Sequence, residues 1–520
     1  MEFVSDKIPV MKKILLAAII FLLSASVSYA QHIDRSKFIK DSIDYYINRA
    51  MTNWRIPGAA VCIVKDNKVI LMNAYGIKEL GQAAKVDINT LFMIGSNTKA
   101  FTATALAMLQ AQNKLSLDDK VTKYLPQFKL DNRPAGEMAT VRDLLCHRLG
   151  LQTFQGDFTF YNTDLTRNDI IERLGMVKAT YPFRTKWGYT NAAFLTAGQI
   201  IPVVTGKPWE VFVKENIFAP LGMTNTLAIT IDMPKSLNRT VPHTLIDERL
   251  SPIPYAQIDG LAPAGAICSS INDMSKWVLA LLNDGKVGQR QVIPLAAIKA
   301  TREAQDIVGS VHHLDGENNY ELYGLGWFIQ DYNGHRLVMH DGGVNGYLSS
   351  VTLVPQDHLG IIILTNTDQN EFYEALRWEI MDAYFKKPYR NYSDVYLENY
   401  KATATIDNAA DKRLRDTVAL NHTTALPLTE YIGKYVNDLY GSLTIIQGEA
   451  NDLEMRFEHH PRMYAHLQAL GGNRFYVTFS DPTYGKAVFP FIVQNGKVTG
   501  VKVKVADFVE YNPYDFRKVE

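Results

Sequence analysis

The sequence predicts an α/β domain carrying an inserted helical subdomain, followed by an all-β domain. Two observations set the first part. β-rich runs occur near residue 60 and again between 324 and 367, with helix-type apolar spacing between them, so one sheet joins the two ends of a single domain. A third observation sets the second part. From Pro427 to Glu520 the pattern becomes short alternating runs with turn signals, and about eight of them fit a small barrel or sandwich.

In chain order, residues 1–30 read as a leader and signal peptide. From Met11, two lysines precede an apolar run from Ile14 to Leu23, then small residues at Ser28 and Ala30, which predicts export with cleavage after Ala30. The run is too short for a stable membrane span, and no cysteine follows the cleavage point for lipid attachment. The localisation this implies is periplasmic or secreted. Residues 31–390 form the α/β domain. Phe38, Ile39, Ile43, Tyr46 and Ile47 predict a helix over 36–52, and "GAAVCIVKDNKVILMNAYG" (58–76) a hairpin turning at Asp66-Asn67. A helix starts at "IGSNTKAFTATAL" (94–106). Residues 116–185 read as short helices broken by Pro and Gly, and 192–221 as further helix. Strands follow at 324–329, 335–343, 347–356 and 359–367, the last apolar enough to be buried on both faces. A helix at about 370–386 ends the domain. Residues 391–425 read as a helical or irregular linker, and 426–520 as the β domain, with a hairpin at Asn495-Gly496.

Lys plus Arg and Asp plus Glu each total 54, so the formal charge is zero and nothing favours nucleic acid or an anionic membrane as main partner. Only three cysteines occur, Cys62, Cys146 and Cys268, each in an apolar context that predicts a buried thiol rather than a disulfide framework. Phosphate-loop, dinucleotide and zinc-protease motifs are absent.

Ser96 and Lys99, at i and i+3, share a helix face, so the lysine amine can reach the serine hydroxyl. A helix start also leaves the serine's own N–H free to face a developing oxyanion. Such a pair alone reads more readily as a polar helix start with a solvent-facing lysine. Tyr189-Thr190-Asn191 is one of four YxN tripeptides, with those at Tyr46, Tyr389 and Tyr435, but only it lies between the Ser-Lys pair and "HDGGVNG" (340–346). That last stretch puts His340 and two glycines on a predicted strand where backbone must approach a ligand.

SxxK, YxN and HxG in this order resemble the penicillin-recognising serine hydrolases, in particular the class C β-lactamase-related group of D-Ala-D-Ala carboxypeptidases, D-aminopeptidases and esterases. The resemblance spans roughly 36–390 through "LSLDDKVTKYLPQF" (115–128), "VRDLLCHRLGL" (141–151), "IFAPLGMTNT" (217–226), "GAICSSINDMSKW" (265–277) and "YGLGWF" (323–328). It implies an antiparallel sheet flanked by helices, and a C-terminal barrel of lipocalin-like type. It implies Ser96 as acyl-enzyme nucleophile, Lys99 as its base, and Tyr189, as phenolate or through a proton shared with Lys99, as relay to the leaving group. Asn191 would orient Lys99 and the substrate amide. The N–H groups of Ser96 and Gly343 would form the oxyanion hole, and Gly342 would keep an edge strand clear for substrate. No metal or organic cofactor is implied. Where many β-lactamases carry lysine this chain has His340, mostly neutral at pH 7 unless Asp341 raises its pKa, which points away from β-lactams as main substrate.

The expected partner is therefore a small-molecule or peptide substrate; self-association into a homo-oligomer stays open. Competing classes are a penicillin-binding sensor or carboxypeptidase that acylates but turns over slowly, and a non-catalytic binder using the β domain. The adjacent pairs His312-His313 and His459-His460 read as surface histidines rather than metal ligands. "YPFRTKWGY" (181–189) is equally a cleft lining or subdomain packing, and the aromatics of 427–520 read as core.

Overall fold

The structure, a computed structural model, describes residues 37–314, 316, 318–449 and 452–519. The expected signal peptide lies outside the described residues. After a first helix α1 (Ile43–Trp54), β1 (Gly58–Lys65) and β2 (Lys68–Gly76) form the expected hairpin, with Asp66 and Asn67 both at positive φ. Two such residues twist the turn to match the strands, which suits Asp and Asn. Helix α2 (Thr98–Ala111) opens the helical region, which also contains α3 (Asn191–Gly198) and α4 (Ile271–Leu282). The sheet then resumes with β3 (Asp306–His312), β4 (Asn318–Tyr323), β5 (Phe328–Tyr332), β6 (His335–Val344), β7 (Tyr347–Val354) and β8 (Leu359–Thr365), and α5 (Phe372–Tyr384) follows.

The sheet order is β2-β1-β8-β7-β6-β5-β4-β3, antiparallel throughout. β1 pairs with β8 from Ala59↔Thr365 to Lys65↔Leu359, joining the two ends of the domain as the sequence predicts. Both strands are sandwiched. Ala59, Val61, Ile361 and Ile363 pack against α1 and α5, while Ala60, Cys62, Ile362 and Leu364 face the core that includes α2 and α4. Two-sided burial explains why these runs do not alternate. Cys62, Cys146 and Cys268 are free and buried, and burial pushes the Cys62 and Cys146 thiols up to about 12, leaving them unreactive.

Two details depart from the sequence reading. The strand expected at 324–329 begins at Phe328, because Gly324–Trp327 is a loop under α2. Gly326 has φ +72°, and a Cβ there would lie 2.7 Å from the Lys99 carbonyl oxygen. β3 and β4 were not foreseen. They lie at the exposed sheet edge, where polar residues and Gly309 weaken the strand pattern.

Most of 391–425 is a single helix, α6 (Tyr392–Ala419), rather than irregular chain. Its start docks on α1, where Trp54 Nε1 donates to Ser393 Oγ at 3.0 Å and the Trp54 and Tyr400 rings lie 5.3 Å apart. Further along, Asp411 accepts hydrogen bonds from Tyr476 and Lys486, both C-terminal to the helix. The segment is a strut between domains.

The C-terminal domain is a closed eight-stranded barrel: β9 (Gly433–Asn437), β10 (Gly441–Gln447), β11 (Leu453–Phe457), β12 (Tyr464–Ala469), β13 (Arg474–Phe479), β14 (Lys486–Gln494), β15 (Lys497–Val503) and β16 (Tyr514–Val519). Closure is by β9 with β16, from Lys434↔Val519 to Val436↔Arg517. Its aromatics, including Tyr435, Phe475 and Phe516, fill the interior. Phe158 of the first domain joins that interior, stacked on Tyr440 at 4.9 Å and on His460 at 5.6 Å. The surface reading of His459-His460 is therefore wrong. His460 is buried at this junction, bonded to Tyr440 and the Tyr161 carbonyl, and His459 pairs with Asp164 across it.

Candidate active site

Ser96 sits in the single 3-10 turn Gly95–Asn97 that leads into α2. That turn is clamped to the sheet. Ser349 Oγ donates to the Ile94 carbonyl at 2.7 Å and accepts from Asn97 Nδ2 at 2.8 Å. A Cβ on Gly342 would lie 2.0 Å from the Ile94 oxygen, and one on Gly95 2.9 Å from the Gly343 nitrogen. Gly342 therefore admits the serine turn, and because the pairing of β6 with β5 stops at Met339, the stretch through Gly342 and Gly343 is paired only with β7 and keeps its other edge unpaired. The same close approach brings the Gly343 amide beside the nucleophile.

Lys99 is fully buried. Its Nζ lies 3.1 Å from Ser96 Oγ, 2.7 Å from Asn191 Oδ1 and 2.8 Å from the Ala264 carbonyl oxygen. Burial pulls its pKa down to about 7, against a smaller opposing pull from Asp157. The Asn191 and Ala264 oxygens can only accept, so they use two N–H bonds. In the neutral amine the remaining direction is a lone pair aimed at the Ser96 hydroxyl.

Tyr189 enters on the extended segment before α3, fixed by its carbonyl accepting from Phe154 N–H and by Thr190 N–H donating to His147 Nδ1 at 3.0 Å. Its ring lies 4.4 Å from the His147 ring and 4.5 Å from Lys99 Nζ, and its phenol interacts with the Ser96 hydroxyl. Burial raises the phenol far above its ordinary pKa. Of the two expected forms, burial disfavours the phenolate and favours a neutral phenol sharing its proton with its neighbours.

His340 is 2% exposed, and burial and the nearby Lys99 push it down to about 4, so it is neutral at pH 7. Its Nδ1 lies 2.6 Å from the Asp341 carbonyl oxygen, which can only accept, so Nδ1 carries the proton. Nε2 then accepts from Tyr323 Oη at 3.2 Å. Asp341 does not charge the ring, since its carboxylate is held by Arg377 of α5 at 2.9 Å on the other side of the strand.

The five side chains expected from the sequence, Ser96, Lys99, Tyr189, Asn191 and His340, thus converge with the Gly342-Gly343 backbone. Others were not foreseen. Asn191 Nδ2 donates to Asp157 Oδ2 at 2.5 Å, and burial lifts the Asp157 carboxyl to about 8. His147 is buried among the rings of Trp187, Tyr189, Phe194 and Tyr323. From the barrel, Phe508 lies 3.2 Å from the position of a Cβ on Gly343, and Tyr511 packs on Phe154, which meets Tyr189 edge-on. The chain around His147 carries a legible motif; for Asp157 and Phe508 nothing local marks the role. Within "YPFRTKWGY", Trp187 packs on Tyr189 and Tyr323 and Arg184 pairs with Asp143, while Pro182, Arg184, Thr185 and Lys186 are exposed, so packing is confined to the end that leads into Tyr189. Among the described residues no His, Cys, Asp and Glu group of three or more is placed to hold a metal.

The chain matches the family described as Beta-lactamase over residues 43–385, and a Domain of unknown function (DUF3471) over 419–518. It is 29% identical over 430 residues to Unguisins hydrolase ungD' of Aspergillus campestris (strain IBT 28561), covering 78% of each chain. It is 26% identical to Protein flp of Staphylococcus aureus (strain N315), covering 70% of each. The octameric penicillin-binding protein homologue from Pyrococcus abyssi superposes with a TM-score of 0.58 at 21% identity, over 91% of this chain and 99% of that one, which shows a shared fold. The chain belongs to the beta-lactamase family of penicillin-binding-protein-like fold, extended by a C-terminal eight-stranded barrel.

Proposed function

We propose that the protein is an exported serine hydrolase cleaving an amide or ester through a Ser96 acyl-enzyme, as a peptidase, D-aminopeptidase or esterase. The observation that carries this is Lys99, buried, drawn down to about 7 and held with its free direction on Ser96 Oγ. In this reading neutral Lys99 takes the Ser96 proton as Oγ attacks the carbonyl carbon, and the carbonyl electrons move to oxygen. The Ser96 and Gly343 amides hold that oxyanion. On collapse the neutral Tyr189 phenol protonates the leaving group and is reprotonated from the Lys99 ammonium. Water then releases the acyl group by the same relay in reverse.

Neutral His340, its Nδ1 proton given to a carbonyl, offers no fixed cation to a substrate carboxylate. That supports esters and peptides over β-lactams. The name of the fungal relative, a hydrolase of unguisins, supports hydrolysis as the chemistry.

Intact-mass measurement after a fluorophosphonate label tests the reading: one adduct on the wild type and none on Ser96→Ala. No wild-type adduct, or equal labelling of the variant, removes it. A stable penicillin adduct with no turnover of any ester or amide would instead favour a slow sensor. In a panel of short-chain esters, D-aminoacyl amides and nitrocefin, nitrocefin should be the poorest substrate. Export predicts a mature N-terminus at Gln31, read by sequencing the protein recovered outside the cytoplasm.

A further inference from the structure

Two neighbouring residues of the four-residue helix Asp157–Phe160 face opposite ways. Phe158 is buried in the barrel interior, while Asp157 holds Asn191, which holds Lys99. What fixes this turn comes from the barrel. Glu510, 1% exposed, accepts from Gly156 N–H at 3.0 Å through Oε1 and from Phe158 N–H at 2.9 Å through Oε2. Tyr514 Oη also donates to Oε2, at 2.8 Å. The segment carrying Glu510 is tied back by Lys504 Nζ, which donates to the Val505 and Glu510 carbonyls and pairs with Asp507. One carboxylate thus straddles the two amides on either side of Asp157.

We infer that Glu510 is a positioning residue for Lys99: it locks the 156–158 turn, so that Asp157 holds Asn191 and Asn191 holds the amine against Ser96. The inference rests on the reading of Ser96 and Lys99 as nucleophile and base. Without Glu510 two buried amides lose their acceptor, and the turn shifts to recover partners. Displacement of Asp157 releases Asn191, water enters around Lys99, and its pKa climbs back toward the ordinary lysine value. The other ionisable groups facing Lys99 do not mask this. His147 and His340 are pushed down, and Tyr189 up, by burial, so all three stay neutral at pH 7; among the described residues Asp157 is the remaining ionisable partner of Lys99, and burial, which lifts it to about 8, leaves it largely protonated at pH 7. Facing Glu510 are Asp157, Tyr514 and Lys504.

The test is the rate of fluorophosphonate labelling of Ser96 in the full chain, as a function of pH, alongside thermal denaturation. Glu510→Ala should slow labelling at pH 7 by about 10- to 100-fold and move the rise of the rate to higher pH. Glu510→Gln, which keeps one acceptor oxygen, should recover part of the rate. Tyr514→Phe, which removes a single bond to Glu510, should move the profile in the same direction by less, and it serves if Glu510→Ala does not fold. A lowered melting temperature with an unmoved pH profile, or wild-type rates in Glu510→Ala, overturns the inference. Absence of labelling in the wild type strikes the proposed function instead.

Discussion

Lys99 illustrates how a residue acquires chemistry from its surroundings. Three partners surround one nitrogen, two of them acceptors only, and no water-exposed surface remains to stabilise the charge. Its neutral form is the active one, so Ser96 reactivity should rise as pH increases through about 7 and level off above it. A labelling profile that falls over that range contradicts the assignment. Lys99→Arg, always charged, should lose about a thousandfold or more in labelling rate while still folding into the same site. At this scale the sequence carried much: Ser96 and Lys99 are linked by helical spacing, and Tyr189 and His340 by motif order. Asp157 and Glu510 were invisible because their meaning is a contact between the 156–158 turn and a residue 352 positions further along. His340 was legible as a departure from lysine, but its tautomer depends on Tyr323 and the Asp341 carbonyl.

Among elements, the meeting of β6 with the serine turn sets the catalytic geometry. Gly342→Ala would place a carbon 2.0 Å from the Ile94 oxygen, against backbone that Ser349 and Asn97 pin in place. The turn must move, and labelling of Ser96 should fall by at least tenfold, with a loss of melting temperature read in the same preparation. Unchanged labelling would mean that the strand, not the turn, gives way. β1 and β8 were readable because burial on both faces writes apolar residues into them, and β2, itself a sheet edge, because it follows β1 directly across the Asp66-Asn67 turn. β3 and β4 sit at the exposed edge and lack that imprint. The polar length of α6 reads as linker for the same reason: beyond Leu397 it buries almost nothing.

For the whole molecule, the two domains share Phe158. Removing that ring by Phe158→Ala should cost about 3–5 kcal/mol by the usual scale for a buried phenylalanine, read in denaturant unfolding. The same variant should also slow Ser96 labelling, since Asp157 is the adjacent residue. A stability loss without a labelling defect would show that the barrel and the site are energetically separate. The division into an α/β domain and a barrel was legible from the change in periodicity near Pro427. That the barrel reaches back into the first domain was not, because Phe158 lies in a stretch read only as short helices.

The junction at Asp157-Phe158 also orders events in the life of the chain. Ser96 and Lys99 are made early, but the groups that hold Asp157 arrive with Glu510, and the barrel closes only when β16 pairs with β9. During synthesis the nucleophile therefore exists for several hundred residues without its completed base. The contacts that hold Asp157, Asn191 and Lys99 are complete only once the barrel is in place, so a chain ending before Glu510 should label at Ser96 more slowly than the full chain.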